Sequence, residues 1–455
     1  GGPMRTIVRA LSSLTFTAAL AASAQQEPIV LHNASVVDGT GSPTRQHIDI
    51  TMQKGIIQSV KPAALKPPKA PNVVNCTGKT IIPGLISAHS HLGILLNNAD
   101  PSPSAYTTEN VTAALNQFER YGVTTIVSLG LNRDLVYDLR EQQRQGKLGG
   151  ATILTAGRGL GVPNGQPGLN VAPDQIDRPA TPEEARHQVD ELASHHADLV
   201  KFWLDNAHGK LPAMDPAIYK AIIDEAHKHH LRVAAHVYAL ADARQLVNDN
   251  VDILAHSVRD QLVDQAFTRS LLQHNTWYIP TLVLDEAFYI YAMDPDLLRS
   301  PFLQEAAGPQ LLAKLQAPDY ASNTLEAPQT AQSQKDHDLA LKNLKTIYGA
   351  GVTVAFGTDS GAVPGRIPGF SEHRELEDLV IAGITPLQAI TLATGQSGRL
   401  LQSLNPKLNV GLIEPGYSAD LIILTADPLM DVRNTRHIDS VYHQGRLIPN
   451  PPPQN

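Results

Sequence analysis

Short apolar runs rich in β-branched residues recur along the middle of the chain. They lie at Thr80–Ala88, Val123–Ser128, Ala151–Thr155, Asp198–Trp203, Leu231–Ala235, Val251–Ala255, Tyr278–Thr281 and Val352–Phe356. Between most of them, apolar residues return every three or four positions, as in Thr181–His195, Pro216–His230 and Leu240–Asn250. That is the period of an amphipathic helix. Buried strands alternating with helices predict an α/β fold around a parallel sheet covered on its outer face. Eight such strands suffice to close a (β/α)8 TIM-like barrel. The alternative, an open doubly wound sheet, calls for a glycine-rich turn after its first strand. Ala88-His89-Ser90-His91 offers none.

The two ends of the chain read differently. Pro28 to Ile82 alternates short strands with Gly- and Pro-rich turns, and Asn409 to Ile448 does the same. Both ends together predict a small β-sandwich, residues 25–82 and 401–455, flanking a barrel over 83–400. One connection is long. About 283–330 carries Phe288, Tyr289, Tyr291, Phe302 and Tyr320 among prolines, and is expected to form a lid or binding loop.

Composition narrows the function. The 455 residues are 42% hydrophobic and 18% charged, which excludes disorder. A net charge of −8 with no basic block argues against a nucleic-acid partner. The single cysteine, Cys76, can build neither a disulfide nor a thiolate metal site, so any metal must be held by histidines and carboxylates. After the tag-like Gly1-Gly2-Pro3, Arg5 and Arg9 precede a short apolar run and Ala22-Ser23-Ala24. This is the pattern of a signal peptide ending near residue 24, and it predicts a periplasmic or secreted protein. No other segment reads as a membrane span.

The candidate chemistry sits at strand ends. His89 and His91 close the first strand, Lys201 the fourth, His236 the fifth, His256 the sixth and Asp359 follows the eighth. In a parallel barrel these ends open on one face, where such folds place their sites. Residues two apart on a strand point the same way, so His89 and His91 can share an ion. Each alone has an ordinary explanation: a packed histidine, or a helix cap at Asp359. Lys201 is harder to explain, because a bare ammonium inside an apolar strand is costly. The convergence of all six favours a divalent-metal site.

The segment Pro83-Gly84-Leu85-Ile86-Ser87-Ala88-His89-Ser90-His91-Leu92 resembles the PGLIDxHxHL signature of the metal-dependent amidohydrolase superfamily. Gly416-Tyr417-Ser418-Ala419-Asp420-Leu421 resembles its PGxxADL motif, and the resemblance runs from about Ile29 to Ile448. It implies a barrel plus a sandwich made from both chain ends. It also implies His89 and His91 as ligands of one metal, and His236 and His256 as ligands of a second. Lys201 would be a carbon dioxide carbamate serving both, and Asp359 a ligand and proton shuttle. Ser87 departs from the pattern, which usually has Asp there as support for the ligands.

Within the superfamily, the chain resembles the imidazolonepropionase-related proteins, which include Xaa-Pro dipeptidases and N-acyl amino acid hydrolases. Mononuclear imidazolonepropionases lack the bridging lysine, so Lys201 points to the binuclear, peptidase-like members. The implied activity is hydrolysis of a small molecule's amide bond by water activated between two divalent cations. Zinc is the first candidate, with manganese, cobalt or iron as alternatives. A cyclic amide or lactone hydrolase and a non-catalytic binding barrel are the competing readings, and a homo-oligomer stays open.

Four residues are candidates for substrate contact. Tyr238 follows His236 by two positions, and His208 lies in the loop after the fourth strand. Arg158 and Arg259 follow the third and sixth strands and could each clamp a carboxylate. Glu372-His373-Arg374-Glu375 reads as a solvated helix face.

Overall fold

The computed structural model describes residues 27–454; the segment read above as a signal peptide lies outside them. Seven barrel strands are regular: Leu85–Ser90, Val123–Ser128, Thr152–Thr155, Val200–Trp203, Val233–His236, Ile253–Ala255 and Trp277–Ile279. The first three pair in parallel, as do the next four. Single parallel bridges join the pieces, with Leu160 on Phe202, Tyr278 on Val354 and Ser90 on Ser360. The eighth position is therefore filled by the segment around Val354, which is bonded to both neighbours without being a regular strand. The sheet closes into a barrel.

Helices cover the outside. Several begin where a side chain replaces a missing backbone partner: Thr107, Thr181 and Asp215 each accept an N–H from the first turn that follows. Their apolar faces, including Leu115, Phe118, Val189, Ile222 and Leu246, pack onto the barrel in one large core.

The apolar run Thr80–Ala88, expected as one strand, is divided at Gly84. Thr80–Pro83 pairs antiparallel with Leu421–Leu424, whereas Leu85–Ser90 enters the barrel. A Cβ at Gly84 would stand 2.2 Å from Thr124 Oγ1 and 2.6 Å from its Cγ2, so only glycine lets the strand pass. Gly84→Ala is expected to destabilise the fold by about 1–3 kcal/mol through overpacking. Urea denaturation measures it, and an unchanged midpoint would refute the close approach.

Both chain ends share one eight-stranded sheet. Its order runs Arg446–Ile448, Ile438–His443, Leu421–Leu424, Thr80–Pro83, Ile29–Val36, Arg45–Gln53 and Ile56–Pro62, with Asn72–Asn75 also on Ile29–Val36. Leu31, Ile50, Cys76, Leu421 and Ile423 form its dry core. This sheet anchors the root of the first barrel strand.

The long connection carries regular structure of its own. It consists mostly of helices, Val283–Glu286, Ile290–Met293, Pro301–Leu315 and Tyr320–Glu326. Tyr289, Tyr291 and Phe302 are buried. The aromatic residues that read as a binding loop are largely core. Only its first turns reach the barrel mouth.

Candidate active site

His89 and His91 stand at the end of the first strand, where its pairing shifts register after Ser87, and all three are buried. Lys201, within Val200–Trp203, has no accessible surface. His236 ends Val233–His236, and His256 follows Ile253–Ala255. His256 and Asp359 both hold left-handed backbone, with φ of 81° and 61°. That conformation is costly for a residue bearing a Cβ, and such strain clusters at functional sites.

The six side chains converge. One ligand atom each from His89, His256 and Asp359 lies within 4.8 Å of the others. The His89 and His256 rings are 4.5 Å apart, and those of His236 and His256 4.3 Å. Asp359 Oδ1 is 3.0 Å from His91 Nε2 and 3.1 Å from His89 Nε2, the latter a close approach rather than an aligned hydrogen bond. Lys201 Nζ has no hydrogen-bond partner and lies 5.3 Å from the centre of the Trp203 ring.

Four unsatisfied buried atoms lie here. Both ring nitrogens of His89, Nδ1 of His236 and Nζ of Lys201 are buried without a hydrogen bond. Buried polar atoms are nearly always satisfied, so this donor set fits bound cations. Two other histidines are aimed by their second nitrogen. His91 Nδ1 is 3.2 Å from the Gly130 carbonyl, and His256 Nδ1 is 2.8 Å from Thr281 Oγ1. Contacts of this kind fix ligand orientation.

The electrostatics favour the same chemistry. Burial, aided by nearby Lys201, lowers His89 to about 3, and burial also lowers His236 and His256. These imidazoles are neutral at pH 7, the form that binds metal. Burial brings Lys201 down to about 7, so a substantial fraction of its amine is unprotonated. For Asp359, burial pushes upward, but the Arg366 guanidinium with His89 and His91 outweighs it and holds the carboxyl well below the usual range.

A cavity of about 480 Å³ opens above these groups, with His91, His236, His256 and Asp359 in its wall. The four predicted substrate contacts fare unequally. Tyr238, Arg259 and His208 line it. Tyr238, however, donates its hydroxyl to Asp336 at 3.1 Å, packs edge-on against His208 and lies under Arg259. Arg259 donates to the Ser257 and Val237 carbonyls and pairs with Asp285 at 3.0 Å. Arg158 is not among the lining residues. Asp134, Asp177 and Glu191 surround its guanidinium at 2.8–3.4 Å, so the carboxylate-clamp expectation is corrected to a structural ion-pair network.

A second correction concerns the helix Phe370–Ile381. Glu372, His373 and Glu375 are buried, not solvated. Glu375 accepts the N–H groups of Leu282 and Val283 at 2.9 Å each, and Arg374 pairs with Glu286 and Glu377. Their polar groups are satisfied within the fold, which a local pattern does not reveal.

Three functional candidates escaped the sequence reading. Asp205, two residues past Trp203, pairs with His236 Nε2. Arg366 donates to Asp359 Oδ2 and to the Leu284 carbonyl. Glu372 accepts hydroxyls from both sides of Asp359. The only available signal was proximity in sequence to Lys201 and Asp359.

Comparison with known proteins adds a family. A model described as the amidohydrolase family matches residues 80–448. An uncharacterized protein of Mycobacterium tuberculosis is 27% identical over 425 residues, 90% of this chain and 95% of that protein. Ochratoxinase of Aspergillus niger is 27% identical over 244 residues, 52% of this chain and 42% of the relative. A Bifidobacterium longum structure carrying a provisional prolidase assignment superposes with a TM-score of 0.73 at 26% identity, covering 94% of this chain and 96% of that one.

Proposed function

Because the chain belongs to the amidohydrolase family and is a hydrolase of C–N bonds, we propose that it cleaves the amide bond of a dipeptide, of the Xaa-Pro kind, or of an N-acyl amino acid. The observation that carries this reading is Lys201, fully buried and unpartnered among imidazoles at the barrel mouth. The prolidase and ochratoxinase likenesses favour the same substrate class.

His89 and His91 would hold one divalent cation, His236 and His256 a second, and Asp359 and a carbamate on Lys201 would complete the set. Zinc suits imidazole and carboxylate donors, as do manganese, cobalt or iron. Bound there, such cations supply Lewis acidity and make water a stronger acid.

The chain's own groups do the rest. Asp359 takes the proton of the attacking water and passes it to the leaving nitrogen, acting as base and then as acid. Arg366 holds Oδ2, which leaves Oδ1 facing the histidines. Phe288 stacks over Arg366 at 5.2 Å on the cavity wall and shields that ion pair from water. In the cavity wall Arg259 is paired with Asp285, Arg366 with Asp359 and Asp205 with His236, so Asp242 is the lining carboxylate left to meet a substrate α-ammonium. Export to the periplasm or beyond is part of the proposal and rests on Arg5, Arg9 and Ala22-Ser23-Ala24.

The test is a hydrolysis screen of metal-reconstituted enzyme against dipeptides, N-acyl amino acids and lactones, with amine release as the readout. Turnover of the first two classes, lost on chelation and restored by zinc or manganese, is the expected result. Lactone turnover alone would replace the amide reading. Protein isolated metal-free from metal-replete cells, and inactive on every class, would point to a binding module.

A further inference from the structure

Glu372 lies in the first turn of the helix Phe370–Ile381 and has no accessible surface. Its Oε2 accepts the Gly369 N–H at 2.8 Å, an ordinary helix-capping bond. Capping needs only one oxygen. The other, Oε1, accepts three hydroxyls from two distant elements: Thr358 at 2.6 Å, Ser360 at 2.7 Å and Ser87 at 3.1 Å.

Those three hydroxyls are placed where they matter. Thr358 and Ser360 flank Asp359, and Ser87 precedes His89 by two positions on the first strand. The N–H groups of Thr358 and Asp359 both donate to the His89 carbonyl, at 3.0 and 2.8 Å. Ser90 extends the network by donating to Ser87 at 2.7 Å. A single oxygen thus ties the strand bearing His89 and His91 to the loop bearing Asp359. The left-handed backbone at Asp359 is costly, and persists only where its surroundings over-determine it.

We propose that Glu372 is a positioning residue of this site, its carboxylate locking the Asp359 loop onto the His89 strand. Without it, three buried hydroxyls lose their common acceptor, and Asp359 loses the clamps on both its neighbours. Serine at 87 is then understandable. The carboxylate that serves this junction reaches it from the helix, and Ser87 supplies a donor rather than a second anion. An aspartate at 87 beside Glu372 would set two carboxylates on the same hydroxyls, an arrangement that like-charge repulsion disfavours.

The inference rests on the reading of Asp359 as proton carrier, and the experiment separates the two. Glu372→Ala, Glu372→Gln, Ser87→Asp and the double variant Ser87→Asp/Glu372→Ala are compared with wild type after metal reconstitution. The readouts are kcat, KM, bound metal per chain and hydrogen exchange at residues 358–360. Glu372→Ala is expected to lower kcat or metal affinity by about 10–100-fold, the usual cost of removing a partner behind a ligand. Exchange at residues 358–360 should accelerate, and KM should change little. Ser87→Asp alone should also lose activity, and the double variant should recover most of it by restoring one carboxylate to the junction. If Glu372→Ala does not fold, Glu372→Gln, which keeps shape but not charge, carries the comparison.

Wild-type kcat and exchange in Glu372→Ala or Glu372→Gln, with only a lower melting temperature, would reduce Glu372 to a helix cap. A double variant no better than Glu372→Ala would also overturn the proposal. If Asp359→Asn retains full turnover, the proton-carrier reading falls, whatever Glu372 does.

Discussion

Asp359→Asn is expected to cost about 10²–10⁴-fold in kcat, the range for losing a positioned general acid–base, while retaining much of the bound metal. Asparagine keeps the shape and one oxygen, so approaches like those to His89 and His91 survive in part. It cannot carry the proton. It also leaves Arg366 facing an amide in place of the carboxylate it now pairs with, inside a largely buried site. An unpaired buried guanidinium is costly, so a lower melting temperature should accompany the kinetic loss. Single-turnover rates on reconstituted protein, with metal per chain measured in parallel, check the prediction. A variant that binds metal and turns over at the normal rate would remove Asp359 from its assigned role.

The barrel was legible because its strands are short, apolar and separated by helical periods. Five of the six residues were legible because they lie at or just past a strand end; Lys201 stands second in Val200–Trp203 and was legible instead as a lone cation in an apolar strand. What escaped has one physical cause. Gly84, Asp205, Arg366 and Glu372 act through partners far away in the chain or across a tight contact, and no local pattern encodes such pairs. Glu372 is the clearest instance. Its neighbours His373, Arg374 and Glu375 make the segment look solvated, yet backbone N–H groups at 282 and 283 and the carboxylate of Glu286 absorb their polarity. Arg158 failed in the opposite direction. Its position after the third strand suggested the mouth, but three carboxylates hold it elsewhere. The helices of the long connection were hidden for a related reason: aromatic residues among prolines look irregular, while Phe302 and Tyr291 are placed by the helices they pack against.

If the proposed two-metal site is right, Lys201→Ala should abolish activity and lower bound metal from about two ions per chain to one or fewer, as expected when a shared donor is lost. The argument starts from cost. A protonated amine with no acceptor and no accessible surface is one of the least favourable placements a fold can hold. Burial has already brought this amine down to about 7, so its neutral form is available near physiological pH. A neutral amine adds carbon dioxide and releases a proton, becoming an anionic carbamate. That converts a misplaced cation into the donor that the surrounding imidazoles lack. Alanine removes the donor and leaves room in the strand, so acetate or propionate should restore part of both metal binding and turnover. Lys201→Met fills the same space without the nitrogen and should resist such rescue. If Lys201 were only a packing element, Met would be nearly silent and Ala merely destabilising. Normal kcat in Lys201→Met, or in wild type prepared and assayed free of carbon dioxide, would therefore defeat the carbamate assignment while leaving the histidine cluster intact.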